Sequence, residues 1–249
     1  MFRKLISLFI LLPWLSQAQE SANVSLLLIS YQPEFYLSDA ERDIMKETRR
    51  TPDEYRHYFR QSLDLKLAAE LETLGPVHSM LQDSTLAGRT DLARYYGSTG
   101  FSYADPVGSR VSDQKEIKKA DKKFELFGNQ HAAPQTITTR GDSKFMQAEP
   151  GDTAFLSALA SRHQATYIIS INQLEIKTNY NTCIDIANKV YRREVIMHYS
   201  ILMPNGKQVR GNYLMDFFPS SSNRDNDIVE RVFPLLAKQL HAQVAALIK

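Results

Sequence analysis

Residues 165–176 read ATYIISINQLEI, and the interpretation of this stretch decides the fold. Residues 166–176 form an expected strand that begins with apolar side chains on both faces, the pattern of a strand covered on two sides. Downstream, residues 190–203 alternate, with Tyr191, Val195, Met197, Tyr199, Ile201 and Met203 on one side. Pro204-Asn205-Gly206-Lys207 is a hairpin turn, its Asn-Gly pair suited to the positive φ such turns require. The chain returns over residues 208–218 with Val209, Tyr213, Met215 and Phe217 in alternate positions. A polar loop, SSSNRDND at 220–227, then leads to a closing amphipathic helix on Ile228, Val232, Leu235, Leu236, Leu240, Val244 and Leu247. Pro234 falls inside that helix and should kink it or mark its true start.

Upstream, a helix is expected over 153–164, capped by Asp152. Nearer the amino end, VSLLLIS at 24–30 is a near-continuous apolar run and reads as a buried strand. Ser38-Asp39-Ala40-Glu41 and Thr51-Pro52-Asp53-Glu54 both have capping-box form, the second strengthened by Pro at the first helical position. Tyr55, Phe59, Leu63, Leu67, Leu71 and Leu74 then recur at three- and four-residue steps, giving one long helix stopped by Gly75-Pro76. A short strand follows at 77–81. The stretch 84–150 reads as a variable insertion. It holds a helix over 86–96, a Gly/Ser/Pro-punctuated loop over 97–108, a lysine-rich helix over 115–123 and a short Thr-rich strand over 135–140. The order is strand–helix–strand, insertion, helix–strand, long hairpin and closing helix. That predicts one α/β (α+β) domain over 19–249, with a single mixed β-sheet and helices packed on it.

The 249 residues are 43% hydrophobic and 23% charged, which excludes disorder and a multi-span membrane protein. Arg3 and Lys4 carry the whole excess of positive charge, so a global electrostatic grip on nucleic acid is not expected. These two residues, the apolar run Leu5–Leu15 and Ser16-Gln17-Ala18 form the three parts of a secretory signal over 1–18. That leader points to the periplasm or outside. No other window is long enough for a transmembrane helix. Cys183 is the sole cysteine; it has no intramolecular disulfide partner, cannot be a lipobox, and reads as idle.

The element order resembles that of bacterial envelope domains: the periplasmic domain of the curli secretion protein CsgG, the penicillin-binding-protein activator LpoB, and the amino-terminal domain of TolB. The resemblance rests on the amino-terminal strand and long helix, the helix over 153–164, ATYIISINQLEI, the hairpin at Pro204-Asn205-Gly206 and the closing helix. It implies an α/β fold that binds other envelope components without catalysis. CsgG and LpoB are lipoproteins, whereas this chain lacks the lipobox cysteine and barrel-forming segments.

The local signatures of chemistry are few. His57, His78, His131, His163, His198 and His241 show no metal-ligand spacing, and no Gly-x-Ser-x-Gly elbow, Walker loop or dinucleotide fingerprint occurs. No cofactor is expected. Asn223, Asp225, Asp227 and Glu230 lack the glycine and spacing of a calcium loop, so Asp225 or Asp227 reads as a helix cap. Arg140-Gly141-Asp142 reads as a turn. Asp83-Ser84-Thr85 and Asp152-Thr153-Ala154 resemble a short O-glycosylation pattern, though the second is better explained as a helix start.

Two groups are the expected partner contacts. Tyr95, Tyr96, Phe101 and Tyr103 lie among glycines and serines, an arrangement suited to glycan stacking or a protein hot spot. Lys115, Lys118, Lys119 and Lys122 offer a basic helix face to anionic lipid or a cell-wall polymer. The leading expectation is a periplasmic binding or assembly factor docking onto an envelope protein or a cell-wall or glycan component. The alternative is a hydrolase acting on an envelope polymer or glycan, its acids and histidines converging only in three dimensions.

Overall fold

A computed structural model describes residues 24–107 and 144–248. The leader, the lysine-rich helix with Lys115, Lys118, Lys119 and Lys122, the Thr-rich strand, His131 and Arg140-Gly141-Asp142 lie outside the described residues.

The α/β expectation holds. β1 (Leu26–Ile29) is buried along its whole length, because it pairs in parallel with β3 (Val77–Ser79) on one side and β6 (Tyr167–Asp185) on the other. β7 (Val190–Leu202) and β8 (Gln208–Pro219) extend the sheet antiparallel, giving the order β3-β1-β6-β7-β8. β2 (Tyr36–Ser38) continues along the same edge of β6 that β1 occupies. Gly206, at φ +82°, makes the β7–β8 turn that its Asn-Gly pair predicts.

One face of the sheet lies under α2 (Pro52–Leu71) and α6 (Phe233–Ile248). Tyr55, Phe59, Leu63, Leu67 and Leu71 are all fully buried there, as their spacing requires. Phe59 meets Phe233 of α6 edge-on, with ring centroids 5.4 Å apart. The capping box at Thr51 forms in full: Thr51 Oγ1 accepts from the Glu54 amide, and Glu54 Oε2 accepts from the Thr51 amide at 2.9 Å. Gly75 is required beyond the helix end because a Cβ there would strike the Val24 carbonyl oxygen. On the opposite face, α3 (Leu86–Ser98) and α4 (Thr153–Arg162) bury Leu92, Tyr95, Phe155, Leu156 and Leu159 against Leu27, Ile29 and Ile168. Asp152 caps α4 as expected, accepting from the Phe155 amide at 2.9 Å.

Several expectations are corrected. The loop expected over 97–108 contains a strand: Thr99–Ala104, β4, pairs antiparallel with β5 (Phe145–Pro150) in a second small sheet. α1 (Glu41–Thr48) forms without a capping box, since Ser38 Oγ accepts only from the Ala40 amide while Asp39 turns to Thr178. The segment after 220 is two helices, α5 (Asp225–Arg231) and α6, and Pro234 marks the start of the second. Asp225 does not cap α5; it lies buried in the first turn and binds Arg50 Nε at 2.6 Å. On β8 the core-facing residues are Leu214 and Phe218, so Tyr213, Met215 and Phe217 occupy the other face.

Candidate docking surface

β6 supplies the platform. Between Ile171 and Gln173 its register shifts by one residue, so Asn172 and Gln173 both leave the apolar face of the sheet. Ile169, Ile171, Leu174 and Ile176 stay in the core under α2, while Ser170, Asn172, Gln173 and Glu175 line the opposite face and are all buried. His198 and Ser200 of β7 stand beside them by register.

β4–β5 closes over this polar strip, and hydrogen bonds dictate where. The Met146 amide donates to His198 Nδ1 at 2.9 Å, the Ala148 amide to Ser200 Oγ at 3.1 Å, and Asn172 Nδ2 to the Met146 carbonyl at 2.8 Å. Because His198 Nδ1 accepts, a neutral ring carries its proton on Nε2, which faces Glu175 Oε1 at 3.3 Å. Lys177 forms an ion pair with the other Glu175 oxygen. Burial pushes the Glu175 carboxyl up, but His198 and Lys177 outweigh it and hold the group below its ordinary range. The strip fastens β5 to the sheet, and the geometry makes it a joint.

The aromatic residues expected to form one mobile patch have separate roles. Tyr95, on α3, is buried; its hydroxyl donates to Ser170 Oγ at 2.9 Å, and burial pushes it up to about 12. Tyr96 is half-buried, donating to the Ser30 carbonyl at 2.7 Å while Arg60 donates to its oxygen at 2.6 Å. Phe101, on β4, packs edge-on against Phe35 with centroids 4.9 Å apart. Tyr103 is the one with an exposed ring, 53% accessible, and its hydroxyl donates to Gln173 Oε1 at 2.9 Å. Tyr95 and Tyr96 therefore hold α3 to the sheet, and Tyr103 presents a face to solvent.

Exposed apolar side chains gather elsewhere, at the far end of β6 and β7. β2 accompanies β6 only to Ile176, and β8 accompanies β7 only to Arg192. Beyond them the two strands continue with no further strand beside them among the described residues, tethered by the Ser220 amide donating to the Tyr191 carbonyl at 2.8 Å. On this arm Tyr180 is 70% exposed and Ile186 81%, with Ile184 also exposed; the free thiol of Cys183 is half-buried between them. Tyr180 meets Tyr191 with ring centroids 5.3 Å apart, and the Arg192 guanidinium lies over Phe217, 4.4 Å from its ring centre. Phe217 and Leu235, both exposed, border an adjoining groove of about 290 Å³ between β8 and α5–α6. The residues 179–189, NYNTCIDIANK, carry the available sequence signal: isolated isoleucines and a tyrosine in an otherwise polar segment. Periodicity gives no warning of it, because the segment continues neither a helical nor an alternating pattern.

Among the described residues, no three His, Cys, Asp or Glu side chains converge as metal ligands, and no helix is long and apolar enough to cross a membrane. No protein-family model matches the chain, and no curated protein matches it. Among solved structures, the chain aligns with a PelC variant, a dodecamer from Paraburkholderia phytofirmans. They are 13% identical over 86% of this chain and 89% of that one, with a TM-score of 0.29, a level at which the likeness bears on neither mechanism nor partner.

Proposed function

We propose that this protein is an exported binding or assembly factor of the bacterial envelope that acts by docking, with the β6–β7 arm as its principal contact. The observation that carries the reading is the exposure of Tyr180, Ile184 and Ile186 on a ribbon that projects past its neighbouring strands, next to exposed Phe217. Leaving large apolar groups in water forgoes about 1.5–3 kcal/mol each, and an interface recovers it. Polar and charged groups, Asn181, Asp185, Asn188 and Lys189, rim the patch, the usual anatomy of a transient contact. The envelope setting rests on the leader read at residues 1–18 and on the resemblance in element order to CsgG, LpoB and TolB domains. Tyr103 adds an aromatic contact nearer the middle of the sheet, and Lys115, Lys118, Lys119 and Lys122 supply the basic one. The partner is an envelope protein or a cell-wall or glycan component.

The test is crosslinking and affinity capture from the native envelope, read by mass spectrometry, comparing the wild type with a Tyr180→Ser, Ile186→Asp double variant. A reproducible envelope partner, captured by the wild type and lost at least about tenfold with the double variant at unchanged thermal stability, is expected. Equal capture by both proteins would remove the arm from the interface. Recovery of the protein alone in both cases would overturn docking and turn attention to hydrolysis of envelope polymers.

A further inference from the structure

His78 lies on β3 and His163 follows the last turn of α4, yet their rings stack, with centroids 3.9 Å apart and planes inclined by 21°. Docking through the arm makes no use of this pair. His78 Nε2 is shielded from solvent and makes no hydrogen bond, and Asp83 Oδ2 stands 3.7 Å from it. The other Asp83 oxygen accepts from the Thr85 amide at 2.9 Å and the Thr85 hydroxyl at 2.6 Å. Thr85 in turn caps α3, its Oγ1 accepting from the Gly88 amide at 3.0 Å. Beside His163, Arg162 of α4 pairs with Asp91 of α3 at 2.8 Å. The stack therefore sits where β3, α3 and α4 meet.

We propose that the His78–His163 stack is an acid sensor: the stacked rings accommodate at most one positive charge, and a second proton parts them and loosens the joint of β3, α3 and α4. Two neutral imidazoles stack without charge repulsion, and so do one neutral and one cationic ring. Two cationic rings at this separation, partly withdrawn from water, repel strongly. Asp83 faces His78, whereas His163 directly follows Arg162, the last residue of α4. Burial, then His78, then Arg162 hold the His163 ring below its usual range, against the pull of Asp83 and Asp91. The sign follows by linkage. A histidine depressed in the folded state contributes stability that is complete above its unfolded range and is lost as the pH falls through it. Acidification therefore charges the second ring and acts on the stack.

The experiment is imidazole NMR titration of the full chain, with amide hydrogen exchange at about pH 7.5 and about pH 5. In the wild type, His163 is expected to titrate at lower pH than in His78→Gln. Exchange at residues 85–88 and 163–166, corrected for its intrinsic pH dependence, is expected to quicken by about tenfold on acidification. The acid-induced quickening should vanish in His78→Gln. If that variant does not fold, His163→Asn serves instead: it retains His78 and Asp83 and should lose the acid-induced exchange. Independent titration of the two rings in the wild type, or exchange unaltered by acid, would overturn the proposal.

Discussion

Asp64 shows how a single side chain carries a cost that no sequence pattern reveals. It lies on α2, on the helix that buries Phe59 and Leu63, and is itself fully buried. Ser79 Oγ donates to its Oδ2 at 2.6 Å and Gln82 Nε2 to the same atom at 3.0 Å, while Oδ1 has no hydrogen-bond partner. Burial pushes the carboxyl above its ordinary range, against the Ser79 and Gln82 hydrogen bonds and the Arg60 charge. The folded protein therefore keeps this proton to higher pH than the unfolded chain, and stability declines as the pH rises through the folded value. Asp64→Asn should remove that decline and gain on the order of 1 kcal/mol at neutral pH, as read by denaturant unfolding across a pH series. Phe101 and Tyr103, two apart on β4, make a second contrast. Phe101→Ala should cost about 1–2 kcal/mol through the lost contact with Phe35. Tyr103→Phe gives up only the bond to Gln173 and should cost about 1 kcal/mol or less.

Among the elements, α2 and β6 organise the rest. The start of α2 is fixed by its capping box and the proline after Thr51, and its core face by the spacing of its large side chains. Thr51→Ala should lower stability by about 1 kcal/mol in thermal or denaturant melts, because it exposes amides that the threonine oxygen now satisfies. Glu54 is held below its ordinary range by its bonds to Thr51, so that contribution is present above the unfolded carboxylate range and is lost as the pH falls. β6 is less transparent. Its first half has the apolar density of a covered strand, and its sequence pattern places its end at Ile176, past the polar residues Asn172, Gln173 and Glu175. In fact the strand runs to Asp185, and those polar groups bond a second sheet. Sequence pattern registers which side chains are apolar; it does not register that Met146 and Ala148 will arrive to satisfy polar ones.

At the scale of the molecule, α2 and α6 cover one face of the six-stranded sheet, and α3, α4 and the β4–β5 pair cover the other. The arm stands outside this arrangement. Tyr180, Ile184 and Ile186 belong to neither core cluster, so the Tyr180→Ser, Ile186→Asp double variant should melt within about 0.5 kcal/mol of the wild type. A substitution in the core behaves differently: Phe59→Ala, which strips the contacts with Tyr55 and Phe233, should cost about 3–5 kcal/mol. This contrast lets loss of capture by the arm variant be read as loss of a surface rather than of the fold.

Sequence by itself determined the α/β class, the buried amino-terminal strand, the long capped helix, the hairpin turn and the closing helix. Each is written in local periodicity or in a turn or cap whose chemistry acts within a few residues. Tertiary structure decided the rest. It made a strand of 99–104, whose partner lies more than forty residues on. It buried Tyr95, stacked His78 on His163 and left Ile186 in water. Such outcomes depend on which distant segment satisfies a backbone amide or covers an apolar ring, and that is fixed only when the elements pack.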